Sequence, residues 1–169
     1  MRKILIFIAV VALFATGCQT KKEEYKSADG SVQAVLKGEK WSITGPDGRE
    51  LVPDCDSMRV AEVGEDGHPT TVFYYKNGRQ TVLQFYSAMR LRCRGDIVNG
   101  QRDGLWQYFY DNGNIQTEAT YVDGREDGDY RVYRDNGAPY YIGRYSHGVR
   151  TGTWEVYDAE GNLVEKKEY

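Results

Sequence analysis

The chain has 169 residues, enough for one domain or a small domain with a tail. Its 22 Lys and Arg stand against 25 Asp and Glu, a formal charge of −3. That balance excludes the concentrated basic face that a nucleic-acid binder needs, and polybasic docking on anionic lipid as well.

Met1-Arg2-Lys3 is a short positive leader, and Ile4 to Ala15 is an unbroken apolar run. A membrane-spanning helix needs about 20 such residues, so the run fits the apolar region of a secretory signal instead. Ala15-Thr16-Gly17-Cys18 then resembles the bacterial lipobox, with Ala15 where that family prefers Leu. The resemblance implies a signal peptide over 1–17, a diacylglycerol thioether on Cys18 and attachment to a membrane through that lipid. Several acyl chains hold stably where one is marginal. Gln19 follows in place of the Asp that retains such proteins at the inner membrane, which implies the outer membrane of the cell envelope. Lys22-Glu23-Glu24 resembles the surface-export signals of some bacterial lipoproteins. Residues 18–29 are polar and unpatterned and are expected to be a flexible tether.

With Cys18 lipidated, Cys55 and Cys93 remain as an even pair. Either they bond in an oxidising compartment, closing a loop worth about 4 kcal/mol on the chain-entropy account, or they are thiols in separate strands. Two distant His and two Cys lack metal-ligand spacing, and no cofactor is expected. From 30 to 79 strand-like runs cover 31–36, 40–44 and 58–63, with breaks at Gly38, Gly45-Pro46-Asp47-Gly48 and Pro53-Asp54. We expect this N-terminal β segment to extend the sheet described next, with a small cap as the alternative.

The chain repeats itself every 24 residues from Gly104, through Gly128, to Gly152. The columns are Trp106, Tyr130, Trp154; Phe109, Tyr133, Tyr157; Gly113, Gly137, Gly161; Tyr121, Tyr145, Tyr169; and Gly124, Gly148. An earlier, degenerate copy aligns Phe85-Tyr86 with Phe109-Tyr110, Leu91 with Ile115 and Asn99-Gly100 with Asp123-Gly124, and replaces the turn by Ser87-Ala88-Met89. Turn residues run from Gly67 to Gly161 at spacings of about 11 or 13 residues, the length of a strand plus a tight turn. Trp106 and Tyr108 share one face by alternation and Gln107 takes the other. Val164 to Glu168 is charged, as an edge strand must be to resist further pairing. The expected fold is all-β: antiparallel hairpins in an elongated, twisted, single-layer meander.

The residues Gly104-Leu105-Trp106, Tyr110-Asp111-Asn112-Gly113, Glu118, Tyr121, Asp123-Gly124 and Asp127-Gly128, with their later copies, resemble the bacterial variant of the MORN repeat, over 80–169. The resemblance implies a hairpin array without shared catalytic chemistry. That family includes envelope lipoproteins and proteins labelled as antitoxins of toxin–antitoxin systems.

No nucleophile–base motif or phosphate loop is present. His68 and His147 read as turn residues. Asp111, Asp123, Asp127, Asp129 and Asp135 are explained by turn chemistry without calcium. Tyr74, Tyr75, Tyr108, Tyr110, Tyr140, Tyr141 and Tyr157 offer contact surface, with cross-strand packing as the alternative role. Tyr140 and Tyr141 are adjacent on a strand, so one is expected to face outward on a single-layer sheet. Arg131, Arg134, Arg144 and Arg150 add a mildly basic patch or are salt-bridged surface charge. The expected function is a lipid-anchored, non-catalytic binding or scaffolding module for a protein or an envelope glycan. The alternative is an antitoxin or immunity protein that neutralises a toxin.

Overall fold

The computed structural model describes residues 24–26, 33–37, 40–44, 50–65, 69–86 and 90–169. The leader, Cys18, His68 and the 87–89 turn lie outside them. Every described element is a β-strand. The first four, β1 (Glu24–Lys26), β2 (Gln33–Lys37), β3 (Lys40–Thr44) and β4 (Glu50–Cys55), form a sheet in that order. The other ten are β5 (Ser57–Val63), β6 (Pro69–Lys76), β7 (Arg79–Phe85), β8 (Leu91–Val98), β9 (Gln101–Phe109), β10 (Ile115–Val122), β11 (Arg125–Tyr133), β12 (Pro139–Ser146), β13 (Val149–Tyr157) and β14 (Leu163–Glu168). They pair in sequence order as one open antiparallel sheet, the expected meander.

Two expectations for the N-terminal part are corrected. Glu24–Lys26, placed in the tether, pair with Gln33–Val35 as a strand. The segment expected to extend the repeat sheet divides, because the chain changes sheets at Asp56. The Asp56 N–H donates to the Tyr75 carbonyl at 2.7 Å, and its carboxylate accepts the Asn77 N–H at 2.9 Å. These bonds fasten Asp56 to the β6–β7 turn, so β5 starts beside β6 while β1–β4 stay outside the ladder.

The two kinds of turn explain the two spacings. Asn77-Gly78, Asn99-Gly100, Asp123-Gly124 and His147-Gly148 all have positive φ at both residues. These are two-residue turns whose twist matches the strands. At the opposite end, Tyr110 N–H donates to Asn114 O (2.8 Å) and Gly113 N–H to Tyr110 O (2.9 Å), a three-residue turn closed by a left-handed Gly. Arg134–Ala138 and Asp158–Asn162 repeat it. The repeat-starting glycines have a different task. Gly104, Gly128 and Gly152 have positive φ inside strands, where the step from Arg94 to Asp96 on β8 faces the longer step from Gln107 back to Asp103 on β9. They mark bulges, which bend a strand and increase its twist.

One row crosses all ten strands in direct register: Val60, Val72, Leu83, Arg94, Gln107, Glu118, Arg131, Ile142, Glu155 and Lys166. Its character changes along the way. In β6 and β7, Val72 and Leu83 are buried with Phe85 and with Cys55 from the end of β4. From β8 onward the row is polar except for Ile142. The opposite face holds a second cluster of Val82, Cys93, Trp106, Ala119 and Tyr121. Cys55 and Cys93 therefore belong to clusters on opposite faces of the sheet, and no disulfide joins them; of the two arrangements open in the sequence, separate thiols is the one formed.

Candidate functional site

The repeat half is a single layer, so its large side chains must cover one another. Trp106 and Trp154 are only 4% and 3% exposed, and among the described residues no second sheet lies over them. Each indole lies flat on a glycine of the preceding strand. A Cβ built on Gly95 would meet the Trp106 ring at 2.2 Å, and one on Gly143 the Trp154 ring at 2.3 Å. Each indole N–H donates to a nearby carbonyl, Trp106 to Asp96 (3.1 Å) and Trp154 to Arg144 (3.2 Å). A guanidinium caps each outer surface, Arg102 at 4.6 Å and Arg150 at 4.5 Å from the ring centre. Each such contact contributes about 0.5–2 kcal/mol, depending on its exposure. Tyrosines close the edges: Tyr121 meets Trp106 edge-on at 6.2 Å, and Tyr145 meets Trp154 at 5.1 Å.

The middle copy departs from this together at every position. Ala119 stands for the glycine, Tyr130 for the indole and Glu126 for the arginine. The smaller ring leaves room for the extra methyl. Gly95, Gly143, Arg102 and Arg150 were not singled out from the sequence as partners of the tryptophans. Their signal was present as a 48-residue spacing, masked because the intervening copy breaks it.

Burial pushes the Tyr121 hydroxyl up to about 12, reinforced by Tyr108. Burial likewise raises Tyr108, Tyr130 and the Cys93 thiol. Tyr169 occupies the same column as Tyr121, but the hydrogen bond from Arg150 lowers it. A raised folded-state value means stability that is intact below the unfolded value near 10 and lost as pH climbs through about 12. Thermal melting followed by circular dichroism is therefore expected to fall between pH 9 and 12, and Tyr121→Phe to flatten that fall. An identical alkaline profile in the variant would show that Tyr121 does not carry it.

The other face of the repeat half is a polar ladder. Arg94 Nε donates to Gln107 Oε1 at 2.8 Å, and Gln107 Nε2 to Glu118 Oε1 at 2.7 Å. Lys166 pairs with Glu155 at 2.7 Å and Arg131 with Asp129 at 2.8 Å. Glu155 is held below the usual carboxylate range by its hydrogen bonds with Lys166 and Tyr157. Beside the ladder runs the column Phe109, Tyr133 and Tyr157, which continues the buried Phe85 into the open.

The tyrosines singled out from the sequence do not converge. Tyr108 and Tyr141 lie in one row on the tryptophan face, with Thr117 and Val132 between them. Tyr157 is on the ladder face, its hydroxyl donating to Glu155 at 2.7 Å. Tyr110 is tied down, donating to the Tyr133 carbonyl at 2.9 Å, as Tyr86 does to Phe109 one copy earlier. Tyr74 packs against the first cluster, and Tyr75 is exposed. Of the adjacent pair, Tyr140 is the exposed one, and the two ring centres are 4.4 Å apart. The register shift opposite them, between Val132 and Tyr133, breaks the simple alternation. Arg134 stacks on Tyr140 at 4.3 Å and donates to the Tyr157 carbonyl at 2.9 Å. Arg144 lies 3.5 Å from Asp129, so the four arginines are used in pairs and stacks rather than as a basic patch.

At the two-residue-turn edge an open groove of about 330 Å³ is lined by Gln101, Val122, Asp123, Arg125, Asp127 and His147. His147 sits in its turn with φ 51°. Ser146 Oγ and Asp127 Oδ2 both approach its Nδ1, at 3.1 and 3.5 Å. A relay needs the hydroxyl and the carboxylate on opposite ring nitrogens, so this trio does not activate the serine. Among the described residues no group of three His, Cys, Asp or Glu is placed to hold a metal, and no helix is long and apolar enough to cross a membrane.

These features define a repeat protein built as an open antiparallel sheet that buries its aromatics within a single layer. Residues 102–123 and 150–169 match the MORN repeat variant. The matched segments hold the arginine and the indole of each stack, Arg102 with Trp106 and Arg150 with Trp154, while Gly95 and Gly143 precede them. No curated protein matches the chain.

Proposed function

We propose that the protein is a non-catalytic binding or scaffolding module, anchored in the cell envelope by lipid on Cys18, with the outer membrane as its site. One observation carries the binding reading: from β9 to β14 the tryptophans are buried by their own neighbours, so the sheet needs no cover and its ladder face stays open to a partner. The address reading rests on the leader and on Ala15-Thr16-Gly17-Cys18. The partner is a protein or an envelope glycan; an immunity-type role is the same reading with a toxin in that place.

Two experiments test it. Wild-type protein is expected to take up labelled palmitate and fractionate with membranes, whereas Cys18→Ala is expected to stay unlabelled and unprocessed. Labelling of the variant at wild-type level would overturn the anchor. A photo-crosslinking residue in place of Tyr157 is expected to give a discrete adduct in native envelopes, whose mass and digestion tell protein from glycan. No adduct from that site or from Tyr133 would overturn binding through this face.

A further inference from the structure

The ladder face suggests its own occupant. Read from β8 to β14, the registered row is Arg94, Gln107, Glu118, Arg131, Ile142, Glu155, Lys166. In charge this is plus, neutral, minus, plus, neutral, minus, plus. A row of alternating sign gives no net attraction to a uniformly acidic or basic partner. It is, however, complementary to itself when reversed.

We propose that a second copy of this chain docks on the ladder face, with the twofold axis running along β12. Rotation about that axis sets Arg131 of one copy over Glu155 of the other, Glu118 over Lys166, and Ile142 over Ile142. The apolar residue thus falls on the axis, with the charges around it, the usual order of an interface. Arg144, the other charge of β12 on this face, is turned toward Asp129 at 3.5 Å. Tyr133 and Tyr157 flank the centre. Sheets stacked in this way keep their strands within about 30°. The five strands that then overlap, β10 to β14, about 4.8 Å apart and about eight residues long, present roughly 630 Å², within the range of roughly 600–1,000 Å² per partner of a stable interface. The opposite face does not suit docking of this kind, since its indoles are already buried and capped by Arg102 and Arg150. At the β5–β7 end the same face is occupied by the chain itself, where Cys55 of β4 covers Val72, Leu83 and Phe85.

The inference rests on the binding-module reading but not on the lipid. It is tested with the full chain in native envelopes and in detergent. Ile142→Cys is expected to give a covalent dimer with a short bis-maleimide, because an axial residue meets its own copy. Leu105→Cys, exposed on the same face in β9 but far from the axis, is expected to give none. In sedimentation velocity, Glu155→Arg is expected to weaken association by about tenfold or more, since it sets like charges face to face. Arg131→Glu combined with Glu155→Arg is expected to restore it, with melting temperatures confirming that each variant folds. A protein that stays monomeric, equal crosslinking from Leu105→Cys, or a double swap that restores nothing would overturn the proposal. A monomer that still forms the Tyr157 photo-adduct with another molecule would overturn self-docking alone.

Discussion

Trp106→Ala is expected to lower the unfolding free energy by about 3–5 kcal/mol, the usual cost of removing a buried indole from a packed site. The site has few ways to collapse. Below the ring is the backbone of Gly95, which has no side chain to fill the space. Above it, Arg102 loses the surface it rests on at 4.6 Å. Tyr121, edge-on at 6.2 Å, and Tyr108, tilted at 6.3 Å, lose their contacts with the indole, and the Asp96 carbonyl loses the indole N–H. Trp154→Ala is expected to cost a similar amount, because Gly143, Arg150 and Tyr145 reproduce the site. Urea denaturation monitored by circular dichroism checks both. A change under 1 kcal/mol in either would mean that the indole is not held between glycine and guanidinium.

Gly95→Ala is expected to destabilise by about 1–3 kcal/mol, the range for overpacking, although only one methyl is added. The new Cβ would lie 2.2–2.5 Å from three ring atoms of Trp106. The ring cannot slide aside freely, because its N–H is bonded to the carbonyl of Asp96, the residue next to Gly95. The remedy is already present one copy later, where Ala119 is registered against Tyr130. Trp106→Tyr placed in the Gly95→Ala background is therefore expected to recover much of the loss. The double-mutant cycle should show a favourable coupling of about 0.5–3 kcal/mol. Additive effects would mean that ring size and the residue beneath it are independent here. The same cycle at Gly143 and Trp154 provides a replicate within the molecule.

Much of the architecture was legible because its causes are local. Asn-Gly and Asp-Gly pairs impose positive φ wherever they occur, and the Asp111-Asn112-Gly113 type of turn closes on itself. The degenerate copy at 80–103 was also readable: Tyr86 bonds to the Phe109 carbonyl as Tyr110 bonds to that of Tyr133. Legibility failed where a long-range partner decided the outcome. The run at 40–44 reads as a strand, but nothing in it says which sheet it joins; the anchoring of Asp56 to the β6–β7 turn does. Alternation puts one of Tyr140 and Tyr141 outward, but it does not reveal the register shift beside which their rings come within 4.4 Å. The tyrosines grouped as one surface are divided between two faces.

What the sequence determined by itself is the 24-residue metre, the turn chemistry at each end of the hairpins and the alternation that sets tryptophans against polar residues. These follow from φ preferences and a period of two, which need only neighbours in the chain. Only the tertiary structure decided which face is covered, where Val72 and Leu83 give way to Arg94 and Gln107 along a single row. Only it showed that each indole is buried between a glycine and an arginine of other positions rather than beneath a second sheet. The reason is physical: burial depends on what the fold brings overhead, and residues far apart in sequence supply it.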